Sequence, residues 1–332
     1  MRPRSRPRSV GERFMRVAIC IATYKRTALL RDLLAGISHL TFRRVTAPEI
    51  EIVVVDNDPA KTAEPVCAAS DLPWLLRYVV EENRGIVHAR NRAVCEAGVV
   101  DFIAFIDDDE VPSPQWLDEL LSTQQRFRAD VVGGPRVPTF DPNAPEWIKA
   151  SSLFGPQMLS TGNRFELCST GNALVRSEVF AGARGFDQRF NLSGGEDTHF
   201  WLRVRRTGYS MIWSEEAIAY ETVPQERANL AWILRRGYQC GNCWSWCEST
   251  LDHRLRARAM RLVKAAAHMV VGAAAVLPCL FMGKAALAHA LRRVCLGLGM
   301  LTGLAGHKFL AYQNAGTPAI SRISKMAEPT KA

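Results

Sequence analysis

No apolar h-region follows the start MRPRSRPRSVGERF, so that stretch is no secretory signal, and the folded chain is expected on the cytoplasmic side of the cell membrane. Its five arginines read instead as a disordered basic tail over residues 1–14, and Met15 stands where a true start would fit. A disulfide framework is lacking too. The nine cysteines, an odd number, are scattered without the spacing of a stapled fold, which suits a reducing compartment. No internal repeat is apparent and no nucleic-acid-binding module can be recognised, which counts against a non-catalytic nucleic-acid binder. The chain also lacks a glycine-rich triphosphate-binding start of the G-x-G-T-R kind, because its first apolar run leads into ATYKRTALL. A sugar-phosphate nucleotidyltransferase is thereby disfavoured. Acidic residues are in deficit, 33 against 42 lysines and arginines, which gives a net charge of +9 and favours anionic partners.

What is present reads as a globular chain of 332 residues, enough for one large domain or two smaller ones. Short β-branched runs alternate with amphipathic stretches through the first half, the pattern of an α/β domain with a largely parallel sheet. RVAICIATY and EIEIVVVDN are the clearest strands, and LLRYVVEEN and DFIAFIDDD supply two more. Between the first two, RTALLRDLLAGISHL places Leu29, Leu30, Leu33, Leu34 and Ile37 on one helical face. In open α/β sheets ligands bind beyond the carboxyl ends of the strands. Polar residues collect at four such ends: Thr23, Tyr24, Lys25 and Arg26; Asp56, Asn57 and Asp58; Asn83, Arg84 and Gly85; and Asp107, Asp108 and Asp109. Turns alone favour aspartate and asparagine, but four endings in a row weigh toward a site.

Three like charges directly after a buried strand repel one another unless water, a proton or a cation relieves them. A hard divalent cation takes oxygen ligands, and Mg2+ needs only one or two carboxylates when substrate phosphates supply the rest. The plain alternative is a turn or cap before PSPQWLDELL. Further along, GGEDTHFW sets Glu196 and Asp197 after two glycines. A carboxylate there can take the proton of an attacking hydroxyl, or simply sit as an acid at a helix N-terminus. CGNCWSWC spaces Cys240, Cys243 and Cys247 along one helical face, and with no fourth ligand it reads as small apolar packing rather than a metal or redox site.

Taken in order, ATYKR, VVVDND, NRGIVHARN, FIDDDE and SGGEDTHFWLR resemble the inverting family 2 glycosyltransferases, which have the nucleotide-sugar-binding, Rossmann-like GT-A fold. The likeness spans roughly residues 16–246, and YETVPQERANLAWILRRGYQCGN resembles the nonprocessive enzymes that assemble bacterial exopolysaccharides of the succinoglycan type. The resemblance implies a nucleotide-diphosphate sugar donor, with a lean to uridine, and transfer with inversion to a saccharide or lipid-linked saccharide. It implies donor-binding roles for Thr23, Tyr24 and Arg26, a base contact for Asp56, and a nucleotide-side lining of Asn83, Arg84 and Arg90. Arg84 and Arg90 read equally well as surface charges. Asp107 and Asp109 fall on the D-x-D positions with Asp108 between them, a pair that serves ribose contact and Mg2+ or Mn2+ on the diphosphate. Gly171 and Asn172 in STGNALVRSEVF are expected to face the donor sugar or the acceptor cleft, with His199 and Trp201 as wall or core. Asp197 takes the role of base and Glu196 that of acceptor support. Arg235 and Arg236 are candidates for the leaving diphosphate, although an amphipathic helix surface reads the same way. The Q-x-x-R-W motif of processive relatives is absent there, which counts against processive synthesis.

Beyond Thr250 the composition shifts to alanine, leucine, valine and glycine with basic flanks. Residues 265–283 come close to bilayer-spanning length but are interrupted by His268 and Pro278. Lys284, Arg292 and Arg293 precede a second, shorter run, VCLGLGMLTGLAG, so a hairpin through the bilayer would carry positive charge across against the usual bias. An interfacial or re-entrant helical pair on an anionic membrane surface is therefore expected, with a soluble helical subdomain as the alternative. The expected organisation is a basic tail over 1–14, a catalytic domain over 15–250, an apolar and basic helical segment over 251–315, and a disordered tail over 316–332.

Overall fold

The computed structural model describes residues 15–157 and 159–310, so the expected tails at 1–14 and 316–332, and residues 311–315, lie outside the described residues. Strands β1 (Arg16–Thr23), β2 (Glu49–Asp56), β3 (Leu75–Val80) and β4 (Phe102–Ile106) alternate with helices α1 (Thr27–Ser38), α2 (Glu64–Ala68) and α3 (Ile86–Glu96). β1 pairs in parallel with β2 and β4, and β2 with β3. The register sets Thr23 beside Asp56 and Asp56 beside Val80, so the polar endings of these strands share one edge of the sheet.

The chain then runs through β5 (Glu110–Pro112), α4 (Trp116–Phe127), β6 (Val131–Gly133), β7 (Arg136–Phe140), α5 (Glu146–Lys149), β8 (Asn172–Arg176), α6 (Ser177–Ala183), α7 (Glu196–Arg206), β9 (Met211–Trp213) and β10 (Ala219–Val223). The central sheet has seven strands in the order β3-β2-β1-β4-β8-β6-β9. It is mainly parallel, with β8 antiparallel to both β4 and β6. A second, three-stranded sheet, β5-β10-β7, stands beyond the carboxyl end of β4.

Helices cover both faces, which is why β1, β2 and β4 are near-continuous apolar runs rather than alternating ones. Leu30, Leu33, Leu34 and Ile37 of α1 pack with Trp116 and Leu120 of α4 on one face, while Leu29 is only half-buried. Val87 and Ala93 of α3 pack with Phe180, Phe200 and Trp201 on the other, so Trp201 is a core residue. Each buried leucine, isoleucine, valine or phenylalanine among them stabilises by roughly 1.5–3 kcal/mol before chain entropy is charged against it.

Three long helices end the described chain: α8 (Leu230–Leu251), α9 (Leu255–Met282) and α10 (Lys284–Leu304). The boundary expected at 250 falls at the end of α8. Asn229 caps that helix, its side chain accepting from the Trp232 amide at 2.9 Å. α10 is tied to α8 through Tyr238 Oη, which donates to Thr302 Oγ1 at 2.9 Å, and Asn242 Nδ2, which donates to Thr302 Oγ1 and the His307 carbonyl at 3.0 and 2.9 Å. α9 is long and apolar enough by length and composition to cross a membrane, with a mean hydropathy of 1.9 in its most apolar window and 11% of that window buried.

Candidate active site

The cleft is stitched together where the strands end. Asn57 Nδ2 donates to the carbonyls of Glu81 and Asn83, both at 2.8 Å, and its Oδ1 accepts from the Gly85 amide at 2.6 Å. Asn191 extends the stitching to the helical side, accepting from the Val87 amide and donating to the Arg84 carbonyl. Asn83 also reaches Glu81, while the Arg84 guanidinium and the Lys25 ammonium both lie over the Tyr24 ring, at 5.5 and 5.2 Å. This rim is half-open and cationic, suited to an anionic nucleotide.

Asp56 is wholly buried, and its carboxylate accepts from the amides of Asp58 and Ala63 and from Tyr78 Oη, at 2.9 to 3.0 Å. It therefore clasps the loop after β2. Asn172 is likewise turned inward, contrary to the expectation that it faces the cleft. Its Nδ2 donates to the carbonyls of Pro135 and Ala217, and its Oδ1 accepts from Trp116 Nε1 at 2.8 Å. Gly171, one residue earlier, does border the site: a Cβ there would lie 2.4 Å from Glu110 Oε1 and 2.7 Å from Asp107 Oδ2.

The three aspartates after β4 point in different directions. Asp108 turns inward, accepting from Thr23 Oγ1 and Arg26 Nη1, both at 2.9 Å. Burial, reinforced by the charge of Asp109, pushes its carboxyl up to about 6 against the pull of Arg26. Asp109 pairs through Oδ2 with Arg26 at 3.2 Å and Arg227 at 3.4 Å. Asp107 pairs through Oδ1 with Arg90 Nη2 at 2.8 Å. Burial alone would raise the Asp107 carboxyl, but the guanidinium of Arg90 overcomes it and holds Asp107 below the ordinary range.

Arg90 is the link between the two acidic motifs. It lies on α3, is buried, and extends Nη1 to Glu196 Oε1 at 2.6 Å while Nη2 holds Asp107. Glu196 opens α7 after a tight turn at Gly194 and Gly195. Gly195 has φ +88° and leaves no room for a side chain, since a Cβ would meet Cys243 Sγ at 1.9 Å. Cys243 and Cys247 of α8 thus pack as small side chains directly beneath this turn, and Cys247 Sγ donates to the Gly195 carbonyl at 3.4 Å. Asp197 is half-buried, its Oδ1 accepting from the Thr198 amide and Thr198 Oγ1. His199 is buried and stacked on Phe190 at 4.5 Å, so it belongs to the packing beneath the site.

Burial pushes the Glu196 carboxyl up from 4.5 to about 7, Arg90 opposing and Asp197 adding to the rise. The folded state then holds a proton that the unfolded chain has already released, so this group's contribution to stability declines as pH rises from 4.5 to about 7. Glu196→Gln removes that slope. Urea unfolding across this interval should show a midpoint that falls with pH in the unmodified protein and is flatter in the variant. An unchanged slope would locate the titration elsewhere.

Four residues that the sequence did not single out also line this cleft. Glu110 is buried, its Oε1 lacks a hydrogen-bond partner among the described residues, and burial together with the Asp107 charge raises it well above the ordinary range. Arg136 reaches Glu221 at 2.9 Å and Glu110 at 3.7 Å, and Arg227 lies 3.8 Å from Glu221 as well as against Asp109. Arg235 and Arg236 are exposed on α8, and the Arg235 guanidinium lies over the Phe309 ring at 5.5 Å. Arg26 and Arg227 are the cations that the fold delivers to Asp109.

Among the described residues no group of three or more histidine, cysteine, aspartate or glutamate side chains is arranged to hold a metal ion. Asp107 and Asp109 nonetheless offer hard oxygen donors of the type Mg2+ and Mn2+ take. Asp107 Oδ2 lies outside the Arg90 pair, and both it and Glu110 Oε1, which accepts no hydrogen bond among the described residues, border Gly171. Two carboxylates suit such an ion when donor phosphates and water complete its shell.

Comparison with known proteins matches residues 18–182 to the glycosyl transferase family 2 model and residues 102–306 to the glycosyl transferase family group 2 model. The succinoglycan biosynthesis protein ExoM of Rhizobium meliloti (strain 1021) is 30% identical over 303 residues, covering 89% of this chain and 94% of that protein. The glucosyl-dolichyl phosphate glucuronosyltransferase of Haloferax volcanii is 23% identical over 245 residues, 68% of this chain and 75% of its own. The fold is shared with the mannosyltransferase PcManGT from Pyrobaculum calidifontis, solved in complex with GDP-Man and Mn2+. That likeness has a TM-score of 0.60 at 19% identity and covers 90% of this chain and 89% of that one.

Proposed function

The chain belongs to glycosyl transferase family 2, and from that premise we propose that it moves a sugar from a nucleotide-diphosphate donor to a saccharide or lipid-linked saccharide acceptor, with inversion. The observation that carries the reading is the junction of the two acidic motifs, Asp107 and Glu196, on the single buried guanidinium of Arg90. Family membership makes the protein a glycosyltransferase, and the succinoglycan relative supports a role in polysaccharide or glycoconjugate synthesis. The donor is proposed to be a nucleotide sugar, with a uridine nucleotide favoured.

In this mechanism the rim of Tyr24, Arg84 and Asn83 receives the nucleotide. Asp107 and Asp109 would hold Mg2+ or Mn2+ against the diphosphate. When bound, that ion offsets the charge that grows on the departing nucleoside diphosphate. Arg26 and Arg227, already against Asp109, supply positive charge on the same side. Asp197 takes the proton from the acceptor hydroxyl as its oxygen attacks the anomeric carbon on the face opposite the leaving group. Glu196 and Arg90 fix the start of α7 and hence the position of Asp197. The helical segment beyond α8 is proposed to bring the enzyme to an anionic membrane surface on the cytoplasmic side.

A ligand that binds only the native state raises its apparent stability. Thermal unfolding with a panel of nucleotide sugars is expected to show stabilisation by one donor class, dependent on Mg2+ or Mn2+ and weakened in Asp109→Asn. Donor stabilisation that is indifferent both to divalent ions and to Asp109→Asn would contradict the metal role. No stabilisation by any nucleotide sugar would contradict the donor class.

A further inference from the structure

α9 and α10 enclose a feature that the transfer reaction does not use. Between them lies a cleft of about 570 Å³ whose walls include Val271, Ala275, Cys279 and Leu296 together with His268, His289, Arg292 and Arg293. Arg292 is half-buried and Arg293 exposed in its wall, and among the described residues no ion pair engages either. From residue 253 to residue 310 the sequence holds nine lysines and arginines and no aspartate or glutamate. The ion pairs of this segment, Arg254 with Asp252 and Arg261 with Glu248, engage other arginines.

The exposed apolar surface of α9 identifies the kind of anion. Leu255, Leu262, Val263, Val270, Leu277 and Phe281 are exposed along α9, with Val263 at 63%, Val270 at 67% and Phe281 at 88%. Their spacing of seven or eight residues, then four, lays them along one side of a helix about 42 Å long. The cleft-lining His268, Val271, Ala275 and Cys279 lie on another side of α9, about 80° or more round the helix from that stripe, and Val271 among them is exposed, so the cleft has an open apolar wall of its own. Exposed Arg256, Arg258 and Lys264 flank the stripe, the arrangement of a helix lying in a bilayer interface. A free phosphate would match the arginines and leave the apolar side uncovered. A lipid carrying an anionic phosphate matches both.

We propose that the α9/α10 cleft binds the phosphate of an anionic membrane lipid between Arg292 and Arg293, with the lipid's hydrocarbon chains against the apolar cleft wall of Val271, Ala275 and Leu296. The inference deepens the membrane association proposed above and is independent of the transfer chemistry. Its test therefore reads vesicle binding rather than turnover. The full chain should cosediment with vesicles of phosphatidylcholine containing phosphatidylglycerol and far less with phosphatidylcholine alone. Arg292→Gln with Arg293→Gln should weaken anionic-vesicle binding by clearly more than the about thirtyfold that two surface charges cost by themselves, at about a factor of five each. Arg292→Lys with Arg293→Lys should retain most of it. Arg256→Gln with Arg258→Gln removes the same charge outside the cleft and should cost less.

Equal losses in the two glutamine doubles would reduce the effect to general surface charge and overturn the site. So would undiminished binding in the Arg292 and Arg293 double, or equal binding of the unmodified chain to both vesicle types. Stabilisation by inorganic phosphate without any vesicle binding would assign the cleft to a free anion instead. Should the double variant fail to fold, Arg293→Gln alone, at an exposed position, is expected to lose more than the about fivefold of a plain surface charge, and a loss no greater than that of Arg256→Gln would equally overturn the proposal. Donor-dependent stabilisation, measured on the same samples, separates failure of this site from failure of the glycosyltransferase mechanism.

Discussion

Asp197→Asn is expected to reduce sugar transfer by about a hundredfold to ten-thousandfold, the usual weight of a positioned general base, while donor binding stays nearly unchanged. The side chain is well placed for so selective an effect. Among the described residues its hydrogen bonds run only to the neighbouring Thr198, so an amide of the same shape disturbs no distant contact there. Asp107 and Asp109 keep their own arginine partners, and the nucleotide side of the cleft is left as it was. The measurement pairs the rate of nucleoside diphosphate release in the presence of a saccharide acceptor with the donor's effect on thermal unfolding. Loss of both together would make Asp197 a structural residue, and full transfer would remove it from the role of base.

Arg90→Met is expected to act on stability first. The side chain volume is nearly kept, but two carboxylates that faced a guanidinium at 2.6 and 2.8 Å then face each other. Breaking a buried ion pair from one side costs about 3–5 kcal/mol, because a desolvated charge is left without compensation. The sign of the pH dependence follows from the same groups. In the variant Asp107 and Glu196 both lose the partner that lowers their carboxyl pKa, so protonation relieves the repulsion at low pH and the deficit widens as pH rises. Arg90→Lys should rescue little, since one ammonium cannot reproduce the two-pronged geometry. Urea unfolding at acidic and mildly alkaline pH measures both effects. A variant within about 1 kcal/mol of the unmodified protein at every pH would show that the bridge contributes little, as exposed ion pairs do.

Much of this site was legible in the sequence because strand order and strand endings are local signals. Four apolar runs, each closing on polar residues, are enough to place Thr23, Asn57, Asn83 and Asp107 on one edge of a parallel sheet. The glycine pair before Glu196 and Asp197 was legible for a similar reason, and the structure adds the physical cause at Gly195, a positive φ above a cysteine sulfur.

The rest depends on pairings across more than eighty residues. Glu110, Arg136, Glu221 and Arg227 meet only because β10 lies between β5 and β7, with Glu221 opposite Glu110. Strands of three and five residues leave almost no periodic pattern to read. Direction within a motif was equally hidden. Asp108 faces inward while its neighbours engage different arginines, and Asp56 and Asn172 spend their hydrogen-bonding capacity on the scaffold. Arg90, which the sequence left open between a surface charge and a site residue, is settled by burial and by its two carboxylate partners as an interior residue.

The acidic groups at one cleft edge are proposed to work with a divalent ion on the donor's diphosphate. Nucleoside diphosphate release from a panel of nucleotide sugars, with metal stripped by chelator and then restored, tests this role most directly. Release from one donor class is expected to disappear on chelation, to return with Mg2+ or Mn2+, and not to be restored by either ion in Asp107→Asn with Asp109→Asn. Release that proceeds undiminished in chelator, or in that double variant, would contradict the role.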